Sequence, residues 1–132
     1  MNILQPPGWP RPKGYVNGIS VPAGGRTIYT AGLIGWDEHE MIVSHRLDLQ
    51  FGQALKNVVA VLAEDGAKPE HIVRRTVYIT DRAQYLRLRD ELVPIWKGIM
   101  GAHYPAKALV EVKALVNSSA NVEIEATAVV PE

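Results

Sequence analysis

Two one-sided helical stripes, each followed by a strand, constrain this chain more than any other feature. Phe51, Leu55, Val58, Val59 and Leu62 recur at helical spacing and predict one helix, with Gly66 suited to the left-handed turn that ends it. Residues 73–79 then alternate, Val73, Arg75, Val77 and Ile79 against Arg74, Thr76 and Tyr78, as a strand does. Asp81 is a good helix cap, and Tyr85, Leu88, Leu92, Ile95, Trp96 and Ile99 form the stripe of a second helix. Pro94 falls inside that stripe and is expected to kink or split it. Residues 108–115 and 122–130 read as two further strands joined by a turn at 117–120.

Upstream, prolines at 6, 7, 10 and 12 make residues 1–14 an extended arm with little regular structure. Residues 16–21 and 27–33, separated by Pro22-Ala23-Gly24-Gly25, are expected to pair as a hairpin, and residues 41–43 to add a brief third strand. The order is therefore β-β-α-β-α-β-β, an α+β fold with a mixed sheet and both helices packed on one face. Residues 15–132 are expected to form a single domain.

The other face of that sheet is chemically mixed. Glu123, Glu125, Thr127 and Val129 fall on one side of the last strand, and Leu109, Glu111, Lys113 and Leu115 on one side of its neighbour. Such a face fits a subunit interface with polar pockets, or equally a solvated surface with scattered apolar residues.

Fourteen basic residues balance fourteen acidic ones, so no overall field favours nucleic acid or an anionic membrane. With no cysteine, disulfides, thiolate nucleophiles and cysteine zinc sites are excluded. His39, His45, His71 and His103 lack metal-ligand spacing, and Asp37, Glu38 and Glu40 read as a solvated loop before they read as a cation site. No metal or cofactor is expected. The first twelve residues carry no apolar run of a secretory signal and no stretch is long enough for a membrane span, so a cytoplasmic location is expected.

Six blocks resemble, in order and spacing, those of the Rid family, also called YjgF-like or endoribonuclease L-PSP. They are Tyr15-Val-Asn-Gly, Tyr29-Thr-Ala-Gly-Leu-Ile, Ala54-Leu-Lys-Asn-Val-Val, Thr76-Val-Tyr-Ile-Thr-Asp, Tyr104-Pro-Ala-Lys and Val122-Glu-Ile-Glu-Ala-Thr-Ala. The resemblance implies a chorismate-mutase-like fold and a homotrimer built around a sheet barrel, with small-molecule clefts between subunits. It also implies hydrolysis of enamine or imine acids to a keto acid and ammonia. On this resemblance Glu123 matches the glutamate that positions the attacking water, Tyr15 an early tyrosine, and Gly32 the strand glycine. The serine position is occupied by Ala31, the helix asparagine by Arg89, and the arginine that grips a substrate carboxylate by Lys107.

Lysine keeps the charge but loses the planar fork that donates two parallel hydrogen bonds. Losing one charge-assisted bond costs about 1.5–3 kcal/mol, or one to two decades of affinity. Arg89 is a candidate to supply the missing guanidinium, and Lys107 a candidate to act as a desolvated amine forming a Schiff base. A surface lysine at a strand start is the plain alternative. Three functions compete at this point: a deaminase, a trimer that binds a carboxylate metabolite without turnover, and an RNA-cleaving role. Neutral charge and the absence of an acid–base pair weigh against the third.

Overall fold

The computed structural model describes all 132 residues. Seven strands and two α-helices follow one another as β1 (Asn2–Ile3), β2 (Ile19–Ser20), β3 (Arg26–Tyr29), β4 (Leu33–Ile34), α1 (Leu47–Ala63), β5 (Ile72–Ile79), α2 (Arg82–Met100), β6 (Ala106–Glu111) and β7 (Val122–Val130). The main sheet runs β3-β7-β5-β6, with β4 also on β7. All its pairings are antiparallel except β5 with β6, which are parallel and joined through α2, as parallel neighbours require a crossover. This is the expected α+β arrangement.

Both helices lie on one face. Leu47, Phe51, Leu55, Val58 and Leu62 of α1 and Leu92, Trp96 and Met100 of α2 share a core with Val77 and Ile79 of β5 and Val122, Ile124, Ala126 and Ala128 of β7. The α2 cap is as expected, Asp81 Oδ1 accepting from the Gln84 amide at 3.0 Å. Glu111 at the end of β6 adds a second acceptor, 2.7 Å from the Arg82 amide, so two orphan donors of α2 are met by carboxylates. Pro94 does not divide α2, which runs unbroken through it. Both Pro94 and Asp90, whose carbonyl loses its donor, are exposed, so the break in the ladder falls on the outer side of the helix and not in the core.

Three expectations are corrected. The hairpin of residues 16–33 does not form: β2 pairs with β1, and β3 pairs with β7. Residues 41–43 give only a single bridge, Ile42 to Trp36. The third concerns the mixed face. In the parallel ladder Arg75 stands beside Lys107, Val77 beside Leu109 and Ile79 beside Glu111. Leu109 and Glu111 therefore sit on the helical side, while Glu123 and Glu125, beside Tyr78 and Thr76, take the open side. Lys113 and Leu115 fall beyond β6 altogether. A strand's alternation fixes which residues share a side, but not which side of a neighbour they join.

Candidate functional site

Two bulges set the geometry of the site. Between β3 and β4, Ala31 and Gly32 stand where β7 offers only Glu125, since Tyr29 pairs with Thr127, Thr30 bonds Ala126 and Leu33 pairs with Ile124. In β5, Val73 is the extra residue, because Ile72 pairs with Ala128 and Arg74 already with Thr127. The second bulge resets the phase of β5, so the residue that follows Ile72 onto the buried side is Arg75.

Arg75 is 6% exposed. Its guanidinium lies 3.7 Å from the ring centre of Trp96, and Nη2 donates to the Gly14 carbonyl at 3.1 Å. Its Nε and Nη1 are buried without an acceptor. Burial lowers its pKa to about 10, the negative ends of Tyr85 and Tyr104 opposing the shift. An arginine in this state remains charged at neutral pH. It is an unusual tenant for a core, since buried charge is ordinarily paired.

Lys107, its neighbour across the ladder, is half-buried, with Nζ 5.0 Å from the ring centre of Tyr15. Burial first, and the Arg75 charge second, bring its pKa down to about 8. The three ion pairs of the chain involve neither cation. Both line a cavity of about 720 Å³ between α2, β5, β6 and the arm. Tyr15, Phe51, Tyr85, Trp96 and Tyr104 supply its aromatic walls, and Trp96 stacks on Tyr104 at 6.0 Å. Five cationic side chains line it (Lys13, Arg75, Arg89, Lys97 and Lys107) against one carboxylate, Asp90. In a chain of zero net charge this is a strongly positive cleft.

The remaining residues singled out from the sequence lie elsewhere. Glu123 faces the open side of the sheet, away from Lys107. Glu125, two residues on, is engaged by the Tyr78 hydroxyl at 2.9 Å, whereas the Glu123 carboxylate has no hydrogen-bond partner within the chain. Gly32 lies against it: a Cβ at position 32 would come within 2.8 Å of Glu123 Cδ. Ala31 is exposed beside Gly32 and offers no polar group. Tyr15, Lys107 and Arg89 are thus gathered in one cavity, with Arg89 exposed on its rim, and Glu123, Ala31 and Gly32 form a second cluster on the other side of the sheet.

Sequence reasoning missed Arg75. The signal was present, an arginine on the same phase as Val77 and Ile79, but alternation by itself gives that arginine no role.

Comparison with known proteins follows the same lines. The family model described as Endoribonuclease L-PSP matches residues 10–130. The human 2-iminobutanoate/2-iminopropanoate deaminase is 33% identical over 105 residues, covering 79% of this chain and 73% of its own. Among solved structures, the Rid-family protein YyfB of Yersinia pestis superposes with a TM-score of 0.84 at 28% identity, over 98% of both chains. The Escherichia coli protein TdcF, crystallised with bound serine, gives 0.69 at 28% identity, again over 98% of both. With a family match across nearly its whole length and the sheet, helices and blocks to go with it, this chain belongs to the Rid, or YjgF-like, family.

Proposed function

We propose that this protein is a hydrolytic deaminase of small enamine or imine acids, acting in the cytoplasm at clefts between the subunits of a homotrimer. The observation that carries this reading is the Arg75–Lys107 pair, a buried guanidinium with two unpaired nitrogens beside a half-buried ammonium, with no carboxylate of their own. A substrate carboxylate satisfies the pair, and its desolvated setting makes each charge-assisted bond stronger than on a surface. Water then adds to the imine carbon with Glu123 accepting its proton, and the carbinolamine collapses to a keto acid and ammonia. Because Glu123 and Lys107 occupy opposite sides of the sheet in one chain, the carboxylate that serves a given cavity comes from a neighbouring copy. The open sheet side, where Tyr29 is 75% exposed amid Thr76, Tyr78 and Val129, offers the mixed surface that a partner would cover.

The relatives point the same way by name, several being 2-iminobutanoate/2-iminopropanoate deaminases. The opposite placement of Glu123 and Lys107 is also what favours a second reading, a binding protein that holds a carboxylate without turning it over. The test generates 2-aminoacrylate enzymatically and follows pyruvate and ammonia release with and without the protein, beside sedimentation at dilute concentration. Acceleration by a trimer is the expected result. Carboxylate binding without acceleration selects the second reading, and a monomer with no binding removes both.

A further inference from the structure

We infer that Lys107 is an imine-forming amine for 2-oxo acids, condensing with the carbonyl carbon while Arg75 holds the carboxylate. The proposal rests on the same carboxylate-holding cavity as the proposed function, but needs neither turnover nor a second subunit.

Geometry carries it. Lys107 has no ion pair, lines a half-open cavity of about 720 Å³, and stands in register beside a guanidinium with two unpaired nitrogens. A 2-oxo acid presents its carboxylate and its electrophilic carbon on adjacent atoms, and the two adjacent cations match that pairing. A lysine becomes a nucleophile when an apolar setting or a second cation favours its neutral form, and here both are present. The groups that face it are Arg75 from β5, the phenols of Tyr15, Tyr85 and Tyr104, and on α2 the cations Arg89 and Lys97 with Asp90. Lys13 closes the set from the arm. The Tyr15 ring face 5.0 Å away and Asp90, which is exposed, favour the charged amine, and burial and the Arg75 charge outweigh them. With a pKa of about 8, roughly a tenth of Lys107 is neutral at pH 7, against well under a thousandth for an ordinary lysine.

The chemistry balances without a co-reactant. The neutral nitrogen bonds the carbonyl carbon, the carbonyl π bond opens, and the oxygen takes up the nitrogen's proton. The carbinolamine then loses water to leave the imine. A 2-imino acid arriving at the same amine expels ammonia instead of water and gives the same adduct. Hydrolysis returns the lysine and releases the oxo acid. Arginine at this position would be barred from the reaction, since it does not deprotonate in proteins.

The experiment treats the full-length protein with pyruvate and cyanoborohydride, then locates the reduced adduct by peptide mapping. Propanal, which has the carbonyl but no carboxylate, is the control probe. Expected results are one adduct per chain at Lys107, labelling that rises about tenfold from pH 7 to pH 9, and loss of that adduct in Lys107→Arg, which keeps the charge and whose fold is checked by circular dichroism. Arg75→Met should cut pyruvate labelling of Lys107 by tenfold or more and propanal labelling by clearly less. Labelling spread evenly over surface lysines, or unchanged total labelling in Lys107→Arg, overturns the proposal. Equal loss of both probes in Arg75→Met overturns the role given to Arg75. An adduct without ammonia release from 2-aminoacrylate sinks only the deaminase reading, and ammonia release without an adduct sinks only this one.

Discussion

Replacing Arg75 with methionine separates a residue kept for binding from one kept for stability. The wild-type guanidinium is 6% exposed, and burial lowers its pKa to about 10, well below an arginine's ordinary value. At about 1.4 kcal/mol for each pKa unit, the folded protein disfavours the charged form by roughly 3 kcal/mol. Against this stand one hydrogen bond to the Gly14 carbonyl and the stacking on Trp96, about 1.5–3 and 1–2 kcal/mol. The two sides nearly cancel. Methionine keeps the unbranched stem and brings no unsatisfied polar atoms, so Arg75→Met should unfold within about 1 kcal/mol of wild type in urea. Its affinity for a small carboxylate such as pyruvate, read by calorimetry or by Trp96 fluorescence, should fall by one to two decades, the equivalent of one lost charge-assisted bond at roughly 1.5–3 kcal/mol. A variant destabilised by several kcal/mol whose carboxylate affinity is unchanged would refute the reasoning, because Arg75 would then be a packing residue whose unpaired nitrogens have no function.

Gly32→Ala places a methyl group against the Glu123 carboxylate and must swing that flexible side chain aside; turnover of 2-aminoacrylate should drop at least tenfold, while the urea midpoint moves by an equivalent of less than about 1 kcal/mol. Gln50 is fully buried, donating to the Ser44 and Ser119 carbonyls and accepting from the Asn121 amide, so Gln50→Leu should cost about 2–4 kcal/mol in equilibrium unfolding by stranding three backbone groups. The bidentate Arg46–Asp48 contact at 3.0 and 2.9 Å, chiefly through its hydrogen bonds, holds the Asp48 carboxyl below the usual carboxylate range. Asp48 therefore contributes stability that is complete above its unfolded pKa of about 3.9 and is lost as pH falls through the lower folded value. Urea midpoints of wild type and Arg46→Gln should differ at pH 7 and converge below pH 4; a gap that persists in acid assigns Arg46 a role other than pairing.

The family blocks were legible because they are local in sequence. Tyr104-Pro-Ala-Lys107 and Val122-Glu123-Ile124 can be read in place, and the reading named Lys107, Glu123, Tyr15 and Gly32 as residues of interest. What they do together was not legible. Their relation depends on which sides of β6 and β7 meet across β5, and no residue in either strand encodes that.

The sequence by itself determined the two helices, their buried stripes, the Asp81 cap, the alternation of β7 and that of β5 from Arg74 onward, since each follows from spacing within a few residues and from which side chains avoid water; Val73, expected on the apolar side, is instead the bulged residue. It did not decide partners. Turn chemistry at residues 22–25 promised a hairpin, yet β3 joins β7 about a hundred residues away, because burial of Ile28 against Ala128 lies with the core and not with β2. Tertiary structure alone decided that a one-residue bulge at Val73 puts Ile72 on the same side as Arg75, and that Arg75 there meets Lys107 and Trp96. Register is a property of two strands at once, and one slipped residue moves a side chain from water to the interior.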